Sequence, residues 1–134
     1  MIFVDSSVWI DYFNDKSTFE TDFLDAKLGN ESVGVGDVVL TEVLQGFKLQ
    51  RDFKRAQTMM LSLHNIDTVG QDIAIKAAIN FRYLRARGIT VRKTIDTLIA
   101  TCCIENGHTL LYSDRDFDPF VKLLGMKTAA PIII

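Results

Sequence analysis

Short β-type runs recur along this chain, and nearly every gap between them carries helical periodicity. Residues 2–4, 33–35, 66–69, 109–112 and 127–130 have the length of strands, too short for stable helices. Between them the spacing predicts helices over 6–14, 17–28, 51–63, 71–87 and 119–124. Two more run from Asp37 as N-cap through Leu49 and from Thr94 as N-cap to Glu105. The stops are glycine-bearing: Gly29 with Asn30, Gly88, and Gly107 after Asn106. Strands joined by helices cannot be hairpin partners, because each helix carries the chain back to start a parallel neighbour. The pattern therefore predicts an α/β fold, a central parallel β-sheet flanked by α-helices. In such sheets, ligands bind beyond the carboxyl ends of the strands.

Nothing in the chain divides it. There is no repeat, low-complexity tract or Pro/Gly/Ser linker, so residues 1–134 are expected to be a single domain. A hydrophobic fraction of 48% excludes a disordered chain. No run reaches the roughly 18 apolar residues of a membrane span, and the first residues do not read as a signal peptide. Cys102 and Cys103 are adjacent in an apolar segment, which predicts two free buried thiols and a cytoplasmic protein. His64 and His108 stand alone, so a zinc site is not expected. Net charge is -2, which gives no general attraction to nucleic acid. One stretch is locally basic: Arg82, Arg85, Arg87, Arg92 and Lys93, with no acid among them. It reads either as a solvated helix end or as a phosphate-binding edge.

Four carboxylates occupy positions where water alone would not hold them. Asp5 ends an apolar strand, where it could serve simply as a helix N-cap. Glu42 interrupts an apolar helical stripe that includes Val38, Val39 and Leu49, where a buried salt bridge is the plain alternative. Asp96 lies in the first turn of a helix, where it complements the dipole in any case. Asp114 follows the strand over 109–112 and competes with Asp116 and Asp118 for turn roles. Together they pose a problem. Two unit charges about 5 Å apart at an effective dielectric near 20 repel by roughly 3 kcal/mol. A domain with about 5–15 kcal/mol of total stability could not easily hold four such charges bare. A divalent cation would resolve this, and an all-oxygen donor set selects Mg²⁺ or Mn²⁺. Such sites act on phosphate esters.

Residues 4–13 (VDSSVWIDYF), 40–47 (LTEVLQGF), 94–100 (TIDTLIA) and 110–118 (LLYSDRDFD) resemble, in order, the four motifs of the PIN-domain family. The likeness extends from residue 2 to about 124, and within the family it is to the VapC-type toxins of type II toxin–antitoxin pairs. It implies a PIN-like fold and a Mg²⁺- or Mn²⁺-dependent endoribonuclease cutting RNA by in-line attack of metal-activated water, with one ion or two. It maps the family's acids onto Asp5, Glu42, Asp96 and Asp114, with Glu42 acting directly or through water. Asp116 corresponds to a further acid. Ser7, or Ser6, and Ser113 correspond to supporting hydroxyls. The resemblance also implies a homodimer held inactive by a VapB-type antitoxin in a higher-order complex.

Two further readings concern partners. Arg92 and Lys93 lead directly into the Asp96 helix, so they are candidates for holding the RNA backbone. Trp9, Tyr12 and Phe13, with Leu44 and Phe47 on the Glu42 helix, are either core or an antitoxin-binding groove. Two rival functions differ in kind. A Mg²⁺-binding receiver-like signalling module would want an acidic pair before the first aspartate, where this chain has Ile2, Phe3 and Val4. A PIN scaffold used only for binding would have no need of an intact acid set.

Overall fold

The computed structural model describes residues 1–29 and 32–129. Its strands are β1 (Ile2–Val4), β2 (Val33–Gly36), β3 (His64–Ile66), β4 (Thr109–Leu111) and β5 (Lys127–Thr128). Its helices are α1 (Ser6–Phe13), α2 (Phe19–Lys27), α3 (Asp37–Leu44), α4 (Gln50–Leu61), α5 (Gln71–Arg85), α6 (Thr94–Asn106) and α7 (Asp118–Leu124). A 3₁₀ turn, Arg115–Phe117, precedes α7.

The described strands form one wholly parallel sheet in the order β3-β2-β1-β4-β5. The chain builds outward from β1 through β2 to the β3 edge, then returns across the sheet to lay β4 on the other flank of β1. Right-handed crossovers place α1–α4 on one face and α5–α7 on the other. The helix contacts divide the same way, α1 with α2 and α3, and α5 with α6 and α7. The order therefore reverses between β1 and β4, whose register pairs Val4 with Leu111. Such a switch point opens a crevice at the carboxyl ends of its two strands.

Phe3, Val4, Leu110 and Leu111 are fully buried, as both faces of a helix-covered parallel sheet require. On β2, glycine is demanded by packing rather than by backbone angle. A Cβ on Gly36 would lie 2.5 Å from the Phe3 ring and 2.6 Å from Thr68 Oγ1, and one on Gly34 would run into Ile66.

Several boundaries differ from the sequence reading. The helix expected to run from Asp37 through Leu49 ends at Leu44. The amides of Gly46 and Phe47 turn back onto Val43 and Leu44 instead, and Phe47 packs edge-on against Phe13 at 5.7 Å. Gly36, not Asp37, is the N-cap of α3. The Asp37 carboxylate accepts from Val38 N at 2.8 Å and from Thr68 N at 3.2 Å, tying α3 to the loop after β3. The third strand is His64–Ile66 rather than 66–69, because an edge strand needs no apolar run. Lys93, not Thr94, caps α6. Asn30 and Ala130, expected in a helix stop and in the last strand, lie outside the described residues.

With contacts this close, Gly36→Ala should cost about 1–3 kcal/mol through overpacking. Urea unfolding measures this, and a loss below about 0.5 kcal/mol would mean that Phe3 and Thr68 can yield.

Candidate active site

The β1–β4 crevice is built from strand ends and helix starts, and this is why acids accumulate there. Asp5 leaves β1 in extended conformation and caps α1. Its Oδ2 accepts from Ser7 N at 3.1 Å and from Ser7 Oγ at 2.6 Å, while its own amide continues the ladder to Leu111 O at 2.9 Å. Ser113 N donates in turn to Ser7 Oγ at 3.3 Å, so one hydroxyl ties the ends of β1 and β4 together. Asp114 caps the 3₁₀ turn by accepting from Asp116 N at 3.0 Å. Asp96 sits in the first turn of α6, where its amide bonds to Lys93 O at 3.1 Å. The plain structural roles are thus real for Asp5, Asp96 and Asp114.

Those roles leave oxygen atoms over. Asp5 and Asp96 are 3% and 4% exposed, a burial that a mere cap would not need. Asp96 Oδ2, Glu42 Oε1 and Ser113 Oγ are buried without a hydrogen-bond partner. Asp96, Asp114 and Asp116 each offer an oxygen within 4.8 Å of the others. Burial lifts the Asp5 carboxyl above the ordinary range against the Ser7 hydrogen bonds, and Asp114 adds to the rise. Burial and the charge of Asp5 raise Glu42, opposed by a hydrogen bond from Ser6 and by Lys93. Asp96 is pushed up to about 6, first by burial and then by Asp5, Asp114 and Glu42, with Lys93 pulling the other way. The four acids named from the sequence therefore share one field, and Asp116 joins them.

The two candidate cations lie at the same place, and both are engaged. Arg92 grips both oxygens of Asp116 at 2.9 and 3.0 Å, and Lys93 reaches Asp114 at 3.4 Å. Sequence proximity places them beside the Asp96 helix, and the structure adds their pairing with acids of the turn after β4. The signal for the pairing was available in Asp116, two residues beyond Asp114 and on the same turn.

The PIN domain family model matches residues 2–122. The chain belongs to the PIN domain family. Among curated relatives it is similar to ribonuclease VapC11 of Mycobacterium tuberculosis, at 27% identity over 97% of this chain and 98% of that one. Among solved structures it is similar to VapBC2 of Rickettsia felis bound to a promoter DNA fragment. The TM-score is 0.72 and the identity 19%, with 96% of this chain and 97% of that chain covered. It is also similar to VapC20 of Mycobacterium tuberculosis, a sarcin-ricin loop cleaving toxin. There the TM-score is 0.66 and the identity 18%, over 88% of this chain and 93% of that one.

This PIN domain corrects one residue of the expected partner groove. Trp9 is wholly buried, stacked on Phe13 at 5.8 Å and edge-on to Tyr12 at 6.0 Å, so it is core rather than a surface anchor. Tyr12, Phe13, Leu44 and Phe47 are half-buried, and Phe13 meets Phe47 across the α1–α3 junction. Cys102 and Cys103 are free and buried, as expected. Among the described residues no helix is long and apolar enough to cross a membrane.

The raised Asp96 carboxyl gives a stability prediction with a definite sign. Between an unfolded value near 4 and the folded value of about 6, the native state binds more protons than the unfolded state. The Asp96 contribution to metal-free stability should be fully present below about pH 4 and be lost as pH rises through about 6. Asp96→Asn removes the repulsion and should melt higher than wild type in EDTA at pH 7, on the order of 5 °C. Saturating Mn²⁺ should shrink or reverse that advantage. A lower melting point for Asp96→Asn in EDTA, with Mn²⁺ moving neither protein, would make Asp96 an ordinary helix-end residue.

Proposed function

We propose that this PIN domain, spanning residues 1–134 as one unit, is a divalent-metal-dependent endoribonuclease. In this reading it is the toxin half of a VapBC-type pair in the cytoplasm. The observation that carries the proposal is the buried Asp96 carboxylate, held among three other acids with one oxygen unpartnered. Orphaned, mutually repelling oxygens are what a hard cation would satisfy, and neither histidine nor cysteine is in the group. The donor set thus fits Mg²⁺ or Mn²⁺. When bound, such an ion supplies Lewis-acid charge that activates water and neutralises a scissile phosphate.

The chain's own residues divide the remaining work. Asp5, Asp96 and Asp114 would hold the ion, with Asp116 as an additional oxygen donor. Glu42, half-buried with its Oε1 enclosed and unpartnered, would act directly or through a water and orient the nucleophile. Ser7 fixes Asp5 and the start of the Ser113–Asp114 segment, so it sets the spacing of two ligands at once. The buried Ser113 Oγ, beside Asp114 in sequence, has no partner of its own and would be free to support the bound state. Arg92 and Lys93 border the acids on the side from which an RNA backbone would approach, and contacts of that kind position without reading sequence.

The partners are a homodimer mate and a cognate VapB-type antitoxin, assembled in a higher-order complex. Tyr12, Phe13 and Phe47 would offer the antitoxin an apolar, half-buried surface, with half-buried Leu44 one turn before Phe47 in the chain.

Each of Asp5→Asn, Asp96→Asn and Asp114→Asn should abolish RNA cleavage, a loss of at least about a hundredfold, while leaving the fold intact. EDTA should reproduce the loss and Mg²⁺ or Mn²⁺ should reverse it. Undiminished cleavage by purified Asp96→Asn would sink the assignment. For the partner, a small protein encoded beside this gene should co-purify with the chain. Phe47→Ala should weaken that binding by an order of magnitude or more, and full-strength binding by a folded Phe47→Ala protein would move the interface elsewhere.

A further inference from the structure

Lys93 is placed unlike an ordinary phosphate-binding lysine. Its backbone is fixed as the N-cap of α6, and its carbonyl accepts the Asp96 amide at 3.1 Å. Its side chain, still 58% exposed, turns back over the crevice to Asp114 Oδ2 at 3.4 Å. From there its charge acts most on Asp96, then on Asp114 and Asp5, and it reaches Glu42 as well. Arg92, 77% exposed, closes the next edge on Asp116 with two hydrogen bonds. The oxygens these cations touch belong to Asp114 and Asp116, two of the three acids whose oxygens lie within 4.8 Å of one another. Both cations sit on long, largely solvated stems, so they can leave without disturbing α6.

We propose that Lys93 is a built-in counter-ion that competes with the divalent cation for the acid cluster. Its ammonium offsets carboxylate repulsion in the metal-free protein. Loading the site displaces it outward, where it becomes free to meet a phosphate. Arg92 does the same for Asp116. The inference rests on the metal-dependent reading above and deepens it by making metal occupancy and RNA-backbone binding two states of one side chain. The repulsion of several buried or half-buried carboxylates is met by a cation the chain supplies itself.

The test is Mn²⁺ binding by isothermal titration calorimetry on the purified full chain, with thermal melts in EDTA and in saturating Mn²⁺. Lys93→Met should bind Mn²⁺ about tenfold more tightly than wild type. That is the effect of removing a unit charge about 6 Å from a divalent ion in a water-like dielectric. It should also melt lower than wild type in EDTA and lose that deficit when Mn²⁺ saturates. Lys93→Arg keeps the charge and should stay within about twofold of wild type in Mn²⁺ affinity. Wild-type binding with unchanged or weaker binding by Lys93→Met would overturn the counter-ion while leaving the nuclease reading in place. No Mn²⁺ binding by wild type would overturn both.

Discussion

Like charge gathered in one small volume governs the architecture around the crevice. Asp5, Asp96, Asp114 and Asp116 are brought together by strand ends and helix starts that the fold fixes for other reasons. Backbone amides and hydroxyls at these termini already favour a carboxylate, so each acid has a local reason to be where it is. Their sum has no local reason. Burial and mutual repulsion lift Asp5, Glu42 and Asp96 together, and Lys93 and Arg92 are drawn in from the preceding loop as counterweights. Buried oxygens without partners cost stability, so their presence here points to a role other than holding the fold.

The sheet order makes this gathering possible. Because β1 lies between β2 and β4, the helices leaving β1 and entering β4 diverge to opposite faces and open a gap at the carboxyl ends. The Ser7 hydroxyl spans that gap, fastening Asp5 on one strand end and the Ser113 amide on the other. A small polar residue in the first turn of α1 thus aligns the two acid-bearing segments.

Much of this was legible in the chain itself. Short apolar runs separated by helical periodicity are enough to specify a parallel α/β sheet, because the linkers leave no other pairing. Asp5, Glu42, Asp96 and Asp114 stood out as acids in apolar settings, and their motifs resembled those of the family the chain belongs to. What escaped the sequence depended on partners distant in the chain. The third strand's polar His64 and Asn65 are stabilised by pairing with Gly34 and Val35, not by their own pattern. The end of α3 is set by Phe47 folding back onto Phe13, 34 positions away in sequence.

Trp9 and Lys93 mark the boundary between the two kinds of information. Periodicity placed Trp9 on a helix beside other aromatics, but an apolar stripe reads the same whether it faces a core or a partner. Only the tertiary packing buries it completely. The string of basic residues ending in Lys93 likewise looked solvated or RNA-facing, because charge patterning carries no information about acids on another element. Sequence alone determined the element types, the parallel pairing and the identity of the acids, since these follow from local backbone preference and side-chain chemistry. The tertiary structure decided which oxygens remain unpartnered, which cation answers them and which aromatics stay within reach of solvent. Those outcomes depend on distances between segments that no local preference encodes.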